Sequence, residues 1–134
     1  MSKTRLNVEY DFDFCLIGIA CSERDFRLCW MLNNQLGLKL VKTDDHVSGA
    51  GTHSLFFFND GEIMREYYLI VNKSDTGKLL LEEHQHTGYF FIIKGEITAE
   101  EKKYFAEQIK KLGSVSTSYL IDAEALKSRQ NLIF

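Results

Sequence analysis

The strand-like segments of this chain are apolar at nearly every position, and this feature limits its fold more than any other. The segments are residues 15–20, 55–58, 66–71 and 89–93. A sheet with one face in water alternates apolar and polar residues. These segments do not alternate, so we expect both faces of the sheet to be covered.

Two helix patterns lie among these strands. In the first, Ser22 is the predicted N-cap and Gly37 ends the helix. In the second, Thr98 and Glu101 form a capping-box pair that precedes an amphipathic stretch. Trp30 lies within a wide apolar arc of the first helix, and we expect its side chain to be mostly buried.

The remaining segments predict shorter elements. The pattern indicates a short strand at 38–41, a polar loop at 42–54, a hairpin turn at 59–61, a short strand at 79–81, a last strand at 115–121 and a short tail helix capped by Asp122.

The order of these elements predicts a single α+β domain over residues 1–134. We expect an antiparallel or mixed sheet with two main helices. The arrangement approximates a split βαβ, ferredoxin-like plan with extra strands inserted.

Composition excludes several classes of protein. The 134 residues are 45% hydrophobic and carry a net charge of −3, without the clustered basic surplus of a nucleic-acid-binding domain. No apolar run approaches the roughly 20 residues that span a bilayer. The N-terminal ten residues are polar and do not resemble a signal peptide. We expect a soluble, cytoplasmic protein that binds neither membrane nor nucleic acid.

Residues 79–96 carry the densest group of reactive side chains. His84 and His86 would share one face of a strand, next to Glu82 and Glu83. A metal site would need a further ligand, for which His46 or His53 is the candidate. One His-x-His pair without a fixed third ligand is a weak signal, so we expect no metal and no cofactor.

The same loop, from Glu82 to His86, is the candidate for acid–base catalysis, although no positioned partner can be identified from the sequence. Cys21 is the candidate nucleophile, because it lies at a predicted strand–helix junction. Cys15 and Cys29 lie in apolar runs and are interpreted as buried hydrophobic residues.

The segment that follows the loop resembles the RNP1 consensus of RNA-recognition motifs at Gly88, Tyr89, Phe91 and Ile92. Thr87 stands where that consensus has a basic residue. In an acidic chain this favours a buried strand over an RNA-binding one.

The segment also resembles the motif that names the IPExxxVDY family. Leu81, Glu82 and Glu83 stand for Ile-Pro-Glu, residues 84–86 are the variable three, and residues 87–89 stand for Val-Asp-Tyr. Glu83 and Tyr89 match strictly. Residues 11–38, 66–74 and 126–134 look like the family's first strand and helix, its middle strand and its tail.

The resemblance implies a bacterial protein and assigns no catalytic residue. It places the histidines at variable positions, which argues against a metal or catalytic role for them. Glu83 and Tyr89 become candidates for a structural or binding role.

These observations favour an interaction module or a small-ligand-binding module that forms a homodimer. The candidate ligand-binding residues are Glu83, His86 and Tyr89. The alternatives are an enzyme that uses the loop from Glu82 to His86 and a single-stranded RNA-binding domain that uses Tyr89 and Phe91. The homodimer is expected because two helices cover one sheet face and the tail looks too short to cover the other.

Overall fold

The computed structural model describes residues 14–132. The polar N-terminus and both ends of the family resemblance, residues 11–13 and 133–134, lie outside them. The elements in chain order are β1 (Cys15–Cys21), α1 (Asp25–Leu36), β2 (Val41–Ser48), β3 (Gly51–Asp60), β4 (Arg65–Val71), β5 (Tyr89–Lys94), α2 (Ala99–Lys110) and β6 (Val115–Ile121). No helix among the described residues is long and apolar enough to cross a bilayer.

The six strands form one sheet in the order β2-β3-β4-β5-β1-β6, and every neighbouring pair is antiparallel. The prediction of an α+β fold with two main helices is confirmed, and of the two predicted sheet types the antiparallel one is found. The four apolar segments from which the sheet was predicted lie in β1, β3, β4 and β5, and β2 and β6 form its edges.

Both helices pack on the same face of the sheet. Leu28 and Leu32 of α1, together with Phe105 and Ile109 of α2, are almost fully buried. They join one core cluster with the strand residues Ile17, Ile19, Leu69, Tyr89, Phe91 and Ile93. This face is called the helix face below.

The opposite face is covered by the chain itself. Two segments pack on it: the loop after β4, through Leu80 and Leu81, and the C-terminal tail, through Leu126 and Leu132. They bury the strand residues Leu16, Leu55, Ile70, Phe90 and Ile92. The expectation that the tail is too short to cover this face, called the tail face below, is therefore wrong.

The tail covers the face without a regular helix. It consists of two short 3₁₀ helices, Ala123–Ala125 and Arg129–Leu132. The Asp122 side chain accepts a hydrogen bond from the backbone N–H of Glu124, so the predicted cap is confirmed on a 3₁₀ turn.

The largest error in the predicted elements concerns residues 42–54. They were expected to form a polar loop, but they belong to the β2–β3 hairpin. The predicted strand at 38–41 reaches the sheet only from Val41. Residues 79–81 make a single β-bridge, Lys73 to Leu79, in place of a strand. The β3–β4 turn occupies residues 61–64, and so begins two residues later than the predicted turn at 59–61.

The helix ends were predicted with mixed success. The Thr98–Glu101 capping box is present, and Gly37 ends α1 in a left-handed conformation with φ of 69°. Helix α1, however, begins at Asp25 with Arg24 as its N-cap. Ser22 lies before the helix, where its backbone N–H donates to the carbonyl of Ser114.

Trp30 is not buried. Its side chain is 56% exposed, and the neighbouring Phe26 is 63% exposed. The apolar arc of α1 is therefore wider than the part that contacts the sheet, and its outer side faces away from the core.

Candidate functional site

The loop between β4 and β5, residues 72–88, is organised by the buried side chain of Asn72. The Asn72 amide donates to the carbonyls of Thr87, at 2.8 Å, and His84, at 3.1 Å. Its side-chain oxygen accepts from the backbone N–H of Leu81 at 3.0 Å. One amide therefore holds both limbs of the loop. Sequence reasoning missed Asn72, because an Asn at the end of a strand has no distinctive pattern.

His84 is held in a polar cluster by Tyr119 of β6. The loop forms a 3₁₀ helix over Glu82–His84, which directs the His84 ring toward the tail face. His84 Nδ1 lies 2.8 Å from the Tyr119 hydroxyl, and the Thr87 hydroxyl lies 2.5 Å from the same oxygen. The Tyr119 ring packs against Gly18. A Cβ at this position would lie only 2.8 Å from the ring, so the absence of a side chain on Gly18 leaves room for the cluster.

A tyrosine hydroxyl carries one proton and two lone pairs. The two contacts of Tyr119 use either its proton and one lone pair or both lone pairs, and in each case they engage His84 and Thr87 within the fold. This cluster has the geometry of a structural connection between the loop and the edge strand.

Glu83 connects the loop to the tail. Its carboxylate accepts hydrogen bonds from the backbone N–H groups of Lys127 and Ser128 and from the Ser128 hydroxyl. Burial raises the pKa of Glu83, but these hydrogen bonds outweigh it and hold the pKa below its ordinary value. A shallow hollow of about 350 Å³ lies beside this contact, lined by Glu82, Glu83, Lys127 and Ser128.

Tyr89 lies on the helix face, on the other side of the sheet from the Glu83 contact. Its hydroxyl donates to the carbonyl of Glu23 at 2.6 Å and so fixes the turn that leads into α1. Burial, reinforced by the charges of Asp25, Cys21 and Glu23, raises the pKa of Tyr89 to about 12.

The three predicted ligand-binding residues are therefore not brought together. Glu83 holds the tail, Tyr89 holds the segment before α1, and His86 lies exposed on the loop. Phe91 is fully buried in the helix-face cluster, beside Phe105 of α2. An RNA-binding sheet needs its aromatic side chains on an open face, and neither Tyr89 nor Phe91 is on one.

The histidines proposed as metal ligands are engaged in the fold or held apart. His84 and His86 do not share a strand face. His46 Nε2 lies 2.7 Å from the Asn131 carbonyl, and His53 Nδ1 lies 2.9 Å from the Val71 carbonyl. Within residues 14–132, no group of three or more His, Cys, Asp or Glu side chains could hold a metal ion.

The cysteines are placed as follows. Cys15 and Cys29 are buried, as predicted, and burial raises the pKa of each to about 11. Cys21 is half-buried, and its sulfur lies 3.7 Å from the Ser114 hydroxyl. Because α1 begins only at Asp25, Cys21 does not occupy the helix N-terminus on which its candidacy as a nucleophile depended.

The outer side of α1 is exposed, unlike the hydrogen-bonded clusters described above. Phe26 and Trp30 are one helical turn apart, and both are more than half exposed. The guanidinium of Arg27 lies 4.9 Å from the centroid of the Trp30 ring. These three residues, called the α1 patch below, were missed as a surface because the apolar arc was interpreted as core.

The chain matches no protein-family model, no curated protein and no solved structure.

Proposed function

We propose that this protein is an interaction module that binds another protein through the α1 patch and has no catalytic activity. The observation that carries the proposal is the exposure of Phe26 and Trp30 on adjacent turns of one helix, with Arg27 stacked on the indole. Aromatic residues and arginine are the residue types that contribute most to binding at protein interfaces.

The patch is too small to bind a partner by itself. Phe and Trp side chains each bury on the order of 150–250 Å², so the exposed parts of both amount to roughly 200 Å². Covering that area contributes about 5 kcal/mol of gross transfer free energy at about 25 cal/mol per Å². Association costs at least about 4 kcal/mol. The patch therefore acts as the centre of a larger contact.

The alternatives receive less support from the geometry. An enzyme that uses the loop from Glu82 to His86 would need reactive groups directed at a substrate. Glu83 and His84 instead make hydrogen bonds within the fold. An RNA-binding domain would need Tyr89 and Phe91 on an open face, and both pack under the helices.

The proposal includes an architecture and a family. Strands β1, β4, β5 and β6 with both helices would form a split βαβ, ferredoxin-like unit, into which the β2–β3 hairpin is inserted. The sheet order, which puts β5 between β1 and β4, supports this.

We assign the chain to the bacterial IPExxxVDY family and to the cytoplasm as part of the same proposal. The two strict matches to the motif support the assignment, since Glu83 and Tyr89 each hold a distant segment in place.

Site-specific photo-crosslinking in the cells that make the protein tests the binding function. A photoreactive residue replaces Asn34, which is exposed and lies two turns beyond Phe26 on α1. We expect a discrete adduct that disappears in the Trp30→Ser background. The matched control places the same residue at Lys103, which is exposed on α2. The same adducts from both positions, or an adduct that persists in Trp30→Ser, would contradict the proposal.

A further inference from the structure

The two edges of the sheet differ in how they are protected. Strand β2 carries Lys42, Asp44 and Asp45, and its pairing with β3 is interrupted between Thr43 and His46. Charged residues and bulges are the devices by which natural edge strands avoid pairing with other chains. The β2 edge therefore opposes association.

The β6 edge has neither charged residues nor a bulge along most of its length. Its sequence, VSTSYLI, contains no charged residue and no proline. Its register with β1 is regular from Thr117 to Ile121, and the only shift lies near its start. Within residues 14–132 it pairs with β1 alone, so its outer backbone groups have no partner strand. Leu120, at this edge, is 42% exposed.

Ser118 is the midpoint of β6. A two-fold antiparallel pairing centred on this residue lets every position of the strand face the second copy. Ser118 is 3% exposed, so its side chain is covered within one copy and the pairing at this position rests on the backbone.

The same pairing is favourable at the neighbouring positions. It places Tyr119 opposite Thr117 of the second copy, an aromatic and β-branched pair of the kind that stabilises sheets. It also places the exposed Leu120 opposite Ser116. No two like charges face each other along the strand.

Charges at the two ends of β6 select the antiparallel orientation. Lys110 and Lys111, at the end of α2, precede the strand, whereas Asp122 and Glu124 follow it. All four are exposed. Antiparallel pairing brings the basic end of one copy to the acidic end of the other, and parallel pairing would bring like charges together.

From these observations we propose that β6 is the self-association edge of this protein. Two copies pair their β6 strands antiparallel about a two-fold axis at Ser118 and form one continuous twelve-stranded sheet. This goes beyond the proposed binding function, because the dimer uses β6 and leaves the α1 patch accessible.

Sedimentation velocity of the full chain over a wide dilution series tests the proposal. We expect a reversible dimer that weakens as salt is added. Leu120→Lys places a charge on the β6 edge and should leave only monomer. Val47→Lys is the matched control, since Val47 is 72% exposed on the opposite edge strand, and it should not change the dimer.

A charge-swap cycle provides a test that does not depend on the strand's own residues. Neither Lys111 nor Glu124 forms a salt bridge or a side-chain hydrogen bond within residues 14–132, so substitution should leave the fold intact. We expect Glu124→Lys or Lys111→Glu alone to raise the dimer dissociation constant by about tenfold at low salt, and the double variant to restore it.

Two results would overturn the proposal. One is a monomer mass for the unmodified chain at every concentration. The other is a dimer that survives Leu120→Lys and the single charge changes but is lost in Trp30→Ser, which would assign self-association to α1. The proposed binding function is tested separately, because its adduct depends on Trp30 and not on Leu120.

Discussion

Glu83 and Ser128 are joined by two hydrogen bonds, since the Glu83 carboxylate accepts from both the backbone N–H and the hydroxyl of Ser128. The two residues are 45 positions apart in the chain. Their contact fastens the tail to the loop, and the tail in turn covers the tail face through Leu126 and Leu132. An exposed carboxylate and a half-buried serine thereby help to keep an apolar surface covered.

Glu83→Gln should loosen the tail. The amide keeps the size of the side chain and one oxygen that can accept from the Lys127 and Ser128 N–H groups, but these hydrogen bonds lose the negative charge that strengthens them. The NH2 group that replaces the other oxygen cannot accept from the Ser128 hydroxyl. Because the contact is solvent-exposed, we expect a loss of about 1–2 kcal/mol. Urea unfolding measures this loss, and hydrogen exchange should show faster exchange in residues 123–132.

Glu82→Gln is the matched control, because Glu82 is exposed in the same turn. An equal loss of stability from both substitutions would mean that the general charge of the loop matters and the contact with Ser128 does not.

Thr98→Ala should destabilise α2. The Thr98 hydroxyl accepts from the Glu101 backbone N–H at 3.0 Å, and Glu101 accepts from the Thr98 N–H at 2.9 Å. Loss of an N-cap hydroxyl costs about 1 kcal/mol, which lowers the melting temperature measured by calorimetry. Lys103→Ala, on an exposed position of the same helix, should leave the melting temperature nearly unchanged.

Trp30→Ala should be tolerated by the fold, whereas Leu32→Ala should not. Leu32 is fully buried in the helix-face cluster, and its truncation is expected to cost about 2–5 kcal/mol. Trp30 is more than half exposed, so its truncation should cost under about 1 kcal/mol. Denaturant unfolding compares the two variants.

Trp30 is also the only tryptophan, so the intrinsic fluorescence of the protein reports on this one position. We expect red-shifted emission that iodide quenches readily. Blue-shifted emission without quenching would show that Trp30 is covered and would contradict the exposure on which the α1 patch rests.

Local signals in the sequence predicted the parts of the fold that local interactions determine. The capping box at Thr98 and the left-handed Gly37 are confirmed because each depends on residues within one turn. The β2–β3 hairpin was missed because an edge strand has little to bury. In β2 only His46 is buried, so its pattern resembles a loop.

The candidate site could not be predicted, because its contacts join residues far apart in sequence. Tyr89 and Glu23 are 66 positions apart, and the partner of each functional side chain depends on the strand order. The predicted burial of Trp30 was wrong for a different reason. Apolar periodicity identifies the residues on one side of a helix but does not distinguish a core contact from an exposed binding surface.

Asn72→Ala should unfold the loop and destabilise the domain. The substitution leaves the Leu81 N–H and the Thr87 carbonyl, both buried, without their partner. The expected cost is on the order of 2–4 kcal/mol, measured by urea unfolding. Gln85→Ala, at an exposed position of the same loop, should change stability little. A near-neutral Asn72→Ala would show that the loop holds its shape by its backbone alone.

The buried histidines of the β2–β3 hairpin should make the domain sensitive to mild acid. Burial lowers the pKa of His46 and His53 below the ordinary 6.5, against the opposing effect of their hydrogen bonds to the carbonyls of Asn131 and Val71. In the window below 6.5, the unfolded chain therefore binds more protons than the folded one. The stability that this difference provides is fully present above pH 6.5 and is lost as the pH falls toward the folded-state pKa values.

Urea midpoints measured from pH 7.5 downward should therefore decline below about 6.5, the ordinary histidine pKa. His46→Asn and His53→Asn should each flatten the decline in this window, whatever they do to stability at neutral pH. The decline is specific to this window, since carboxylates such as Glu83 titrate at lower pH. A flat profile between pH 7.5 and 5.5 in the unmodified protein would contradict the burial of these two imidazoles.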